Sequence, residues 1–76
     1  MSLVSRELFK SLVKRYESTI QTNKSMLLVY LNNSVGIGEH PQHIDEMDKM
    51  LSEITESNDK LEFLLKDFNN EEYLNK

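Results

Sequence analysis

Apolar residues recur along this chain at alternating steps of three and four, in two blocks separated by one glycine-containing break. In the second block Ile44, Met47, Leu51, Ile54, Leu61, Leu65 and Phe68 keep that step, with Asn58 in the single polar slot. A helix turns once every 3.6 residues, so the set forms one apolar seam about seven turns long. The first block supplies Val13, Tyr16, Ile20, Asn23, Leu27 and Tyr30 at the same spacing, extended by Phe9. Neither Gly nor Pro interrupts it, and helix-favouring Arg, Glu, Leu and Lys fill its opening turns, so the spacing predicts one helix over about 4–33. Ser5, or Ser2 nearly as well, suits the N-cap, with Glu7 in the positive first turn. The competing reading is a buried strand over 25–31, which finds no second strand to pair with.

The break runs from Asn32 to Pro41. Gly36 fits the left-handed residue that closes a helix, Ile37 can pack back on the last turn, and Pro41 fits the first position of the next helix, where its missing N–H costs nothing. Gly36, Gly38 and Pro41 thus define the turn. Asp45, Glu46 and Asp48 then complement the helix dipole, and the second helix is expected over about 41–68. Asn69 and Asn70 stop it, and Asn69 with Glu72 has the form of a capping box for a short final turn.

Folding the two rods back about the turn sets Tyr30 against Met47, Leu27 against Leu51, Asn23 against Ile54, Ile20 against Asn58, Tyr16 against Leu61, Val13 against Leu65 and Phe9 against Phe68. The expected fold is therefore all-α, an antiparallel two-helix hairpin. Asn23 and Asn58 fall in adjacent layers, where a hydrogen bond across the seam would fix the register; exposure at the seam edge is the alternative. Leu8, Leu12, Met26, Leu28 and Leu31, with Met50, Phe63 and Leu64, are left over, and large apolar patches in water mark interfaces. Dimerisation into a four-helix bundle accounts for them most economically. A monomer whose tail, with Tyr73 and Leu74, covers part of that surface is the other solution.

The totals narrow the picture. Seventy-six residues make a single domain, 1–76, too small to bury much core alone, and with no cysteine neither disulfides nor thiolate zinc sites can staple it. Association is the remaining route to stability. The longest apolar run, 26–31, is six residues against the roughly 18 of a membrane span, and no export signal stands at the start, so a cytoplasmic protein with no membrane partner is expected. Residues 1–33 carry five basic and two acidic side chains and residues 34–76 four basic and eleven acidic, so the net charge of −4 divides into +3 and −7. Unlike charges on the two rods favour their pairing.

Candidate chemistry is sparse. Glu39, His40, His43 and Glu46 form the one cluster resembling a metal site, since His40 with His43 and His43 with Glu46 have convergent helical spacing. A small metal-binding protein built on 39–46 is accordingly the alternative function, set against a reading of these residues as solvated helix-start groups. Gly36-Ile37-Gly38 lacks the lysine, third glycine and preceding strand of a phosphate loop. Lys10, Lys14, Arg15 and Lys24 are too few in an acidic chain for nucleic-acid binding to be expected. No nucleophile–base constellation points to an enzyme, and no cofactor is implied.

The segment from Tyr30 to Lys49, Y-L-N-N-S-V-G-I-G-E-H-P-Q-H-I-D-E-M-D-K, resembles small uncharacterised helical-hairpin proteins of T-even-like tailed phages, including those of marine cyanobacteria. These carry an N-P-V-G-I-G-E-H-P-type turn between two helices and then an acidic helix with a D-K-L-E pattern, here Asp59-Lys60-Leu61-Glu62. The likeness spans roughly residues 12 to 66, and Ser34 departs from it at the proline position. It implies a phage origin and a helical hairpin, and brings no activity. The function expected is that of a non-enzymatic protein–protein interaction or accessory protein, self-associating and docking on an unidentified host or viral protein in the infected cell.

Overall fold

The computed structural model describes residues 2–32 and 42–68 of the chain. Two helices, α1 (Leu3–Asn32) and α2 (Gln42–Phe68), pack against each other antiparallel as a hairpin. The all-α hairpin expected from the spacing is the fold observed, and 25–31 continues α1 as helix. The turn residues Gly36, Gly38 and Pro41, and the capping box at Asn69, lie outside the described residues.

The helix ends follow local chemistry. Ser2 caps α1: its Oγ accepts the backbone N–H of Ser5 at 3.0 Å and donates to Ser5 Oγ at 2.9 Å. The expected cap at Ser5 thus belongs one turn earlier, which leaves Glu7 beyond the first turn, where its carboxylate approaches Lys10 at 3.6 Å instead. In α2, Asp45 lies in the first turn and Lys66 in the last, each beside the dipole end of opposite sign.

The hairpin is a rod, 55 × 16 × 15 Å with a radius of gyration of 16.9 Å, against about 11 Å for a compact chain of this length. The two helices have one line of contact, and among the described residues no third element closes over it; the tail with Tyr73 and Leu74 lies outside them. Among the described residues no apolar side chain is fully buried, and the two buried ones are Asn23, 4 % exposed, and Ser57, 7 %. On α1 the half-buried or buried positions include Phe9, Val13, Tyr16, Ile20, Asn23, Leu27 and Tyr30. On α2 they include Met47, Met50, Ile54, Ser57, Leu61, Leu64 and Leu65.

The α2 seam is therefore turned by a fraction of a residue from the expected one. Leu51 is 49 % exposed, Ile44 57 %, and Asn58 is exposed as well; Met50, Ser57 and Leu64 hold the inward side. Both sets keep the three-four step around Met47, Ile54 and Leu61, so periodicity alone does not choose between them. Size and polarity do: putting Asn58 inside would take a second amide out of water, whereas Ser57 is small enough to admit close approach. The expected Asn23–Asn58 pair is replaced by a bond within α1, from Asn23 Nδ2 to the Thr19 carbonyl at 2.9 Å.

Candidate interaction face

The rotation of α2 decides what one flank of the hairpin presents. On α1, Leu8, Leu12, Thr19 and Met26 follow one another at steps of four, seven and seven, and seven residues come close to two full turns, so the four side chains share a lane beside the seam. Leu8 is 63 % exposed, Leu12 40 % and Met26 41 %. Across the seam α2 brings Leu64 and Phe68 next to this lane. Ser5, Leu8, Phe9, Leu12, Leu64 and Phe68 line an open groove of about 380 Å³ at the end away from the turn. Leu12 and Leu64 carry it into a second groove of about 450 Å³, with Tyr16, Asp59, Lys60 and Phe63. Nearer the turn the flank dips again between Met26 and Met50.

These depressions have the volume of small-ligand sites but not their form. A ligand pocket encloses most of its occupant; here two helices make a trough with no further wall among the described residues. Such a trough takes another helix. Its length also fits one, since hollows line the flank from Leu8 and Phe68 at one end to Met26 and Met50 near the other.

Polar groups join the two helices along the rod. Near the turn the Tyr30 hydroxyl donates to Glu46 Oε2, and the His43 ring meets that of Tyr30 at 5.2 Å and 59°. The bond to Glu46 raises the Tyr30 hydroxyl above its ordinary range, with desolvation and the carboxylate charge acting in the same direction. Farther along, Lys60 Nζ stands 5.9 Å above the Tyr16 ring. Its pairing with Glu56 at 3.0 Å holds the ammonium above its ordinary range.

No protein-family model, curated protein or solved structure matches the chain.

Of the metal candidates, Glu39 and His40 lie outside the described residues, while His43 and Glu46 are engaged with Tyr30. No group of three or more His, Cys, Asp or Glu side chains converges among the described residues, and no described helix is long and apolar enough to cross a membrane. Seam residues Val13, Tyr16, Ile20, Leu27, Tyr30, Met47, Ile54, Leu61 and Leu65 are all half-buried. Glu46 and Lys60 are the partners that spacing missed. The signal available was the tyrosine itself, whose apolar ring can lie in a seam only if its hydroxyl end reaches water or a polar neighbour.

Proposed function

We infer that this protein is a non-enzymatic protein–protein interaction module that works as a self-associated hairpin, two copies forming a four-helix bundle. One observation carries the reading: the flank through Leu8, Leu12, Phe63, Leu64 and Phe68 keeps an apolar trough in water while no apolar side chain is fully buried among the described residues. Covering that trough supplies the core that a single hairpin lacks. The likeness of the turn segment to small phage proteins supports placing the module in an infected bacterial cytoplasm, as an accessory factor docking on a host or viral protein.

Analytical ultracentrifugation across a concentration series tests the reading. The expected result is a dimer mass at micromolar concentration with helical circular dichroism retained. A single species of 8.9 kDa mass up to hundreds of micromolar would overturn it.

A further inference from the structure

We propose that the occupant of the apolar flank is a second copy seated antiparallel, on a two-fold axis crossing the waist at Thr19 and Ser57, so that α1 lies over the partner's α1 and α2 over the partner's α2. This rests on the self-association inferred above and specifies its geometry.

The waist divides the flank symmetrically. Leu12 and Met26 each stand seven residues from Thr19, and Leu64 and Met50 each stand seven from Ser57. A two-fold there lays Leu12 over the partner's Met26 and Leu64 over the partner's Met50, apolar on apolar at each pair, with Asn23, Glu46, Lys49 and Glu53 bordering the methionines. Thr19 is half-buried and Ser57 is already covered within its own hairpin, so no bulky side chain from either position obstructs the crossing, where the two hairpins approach most closely. Helices of 27 and 30 residues are about 40–45 Å long. Over the 16 Å width of the rod they offer an area near the ~800 Å² per partner that a stable interface uses.

One charge pair near the waist separates the two directions. A face can also pair on a two-fold parallel to the rod, which stacks α1 on the partner's α2 at equal height. Because Lys60 stands over Tyr16, that arrangement sets Lys60 against the partner's Arg15, cation on cation. In the antiparallel form Lys60, three residues past Ser57, instead meets the partner's Glu53, four residues before it, and does so twice by symmetry. Stacking like on like does set the basic α1 over the partner's α1 and the acidic α2 over the partner's α2, a repulsion that distance and salt limit. Arg6, Lys10 and Lys24 follow a separate lane on the other side of the seam, and at ordinary ionic strength charges farther apart than about 10 Å are largely screened.

The chain has no cysteine, so single cysteines report geometry without background. Leu12→Cys, Met26→Cys and Phe63→Cys variants are mixed in pairs, allowed to exchange subunits, and oxidised, with sedimentation of the unmodified chain alongside. The expected result is a dimer mass together with efficient Leu12→Cys to Met26→Cys cross-linking, at least tenfold above Leu12→Cys to Phe63→Cys. A dimer that cross-links through the second pair and not the first overturns the antiparallel geometry but leaves self-association standing. A monomer mass overturns both, and gives the trough to a different protein.

Discussion

The two flanks of α1 have the same period and opposite chemistry. Leu8, Leu12, Thr19 and Met26 run along one side of the seam, while Arg6, Lys10, Glu17 and Lys24 run along the other at identical steps. Lys10 pairs with Glu7 at 3.6 Å and Lys14 with Glu17 at 4.0 Å, both within α1 and exposed, so Lys10 and Glu17 of the charged lane find partners on their own helix while open to water. The apolar lane has no such recourse. Helix spacing therefore locates seams, but only side-chain identity separates a surface that can stay wet from one that calls for a partner.

The sharpest way to break the comparison is to attack what both flanks hang from. Ile54→Asp places a charge in the half-buried seam, and a loss of about 3 kcal/mol or more is expected, enough to abolish helical circular dichroism in a hairpin this small. Retained helicity would mean that the seam does not hold the rods together. Next comes a test of the flanks themselves. Leu12→Asp should weaken self-association roughly a hundredfold, about 2.7 kcal/mol, with helicity kept, whereas Lys10→Gln should leave the sedimentation mass unchanged. Equal effects from the two would erase the distinction.

Asn23→Leu is expected to act in the opposite direction and more weakly. The Asn23 amide bonds to its own helix at Thr19 and not, among the described residues, to α2, so an apolar side chain of similar size should raise hairpin stability by about 1 kcal/mol, read as a higher Tm. A fall in Tm would show that the amide makes a second bond the hairpin depends on. Tyr30→Phe should have the smallest effect at neutral pH and a specific one in alkali. The Tyr30 hydroxyl titrates above the ordinary value of 10.0 in the folded chain, so its contribution is complete below that value and disappears as pH rises through the higher folded one. The difference in Tm between the unmodified chain and the variant should shrink over that range. A constant difference would rule out the bond to Glu46 as its source.

Much of this molecule is legible in the order of its residues, because helix formation and apolar period are local properties. Uninterrupted three-four spacing from Phe9 to Tyr30 and from Met47 to Leu65, with Gly36 and Pro41 between, is sufficient for two antiparallel rods, and the α1 side that turns inward follows from the same count. The face that α2 turns inward does not. Met50, Ser57 and Leu64 and the rival set Leu51, Asn58 and Leu65 satisfy the period equally, and the choice between them rests on how closely two particular helices can approach when Asn23 is already inside. That is a property of the packed pair, so only the tertiary structure could decide it. With it came the partners of Tyr16 and Tyr30, the exposure of Asn58, and the trough beside Leu12 and Leu64 on which the proposed assembly is built.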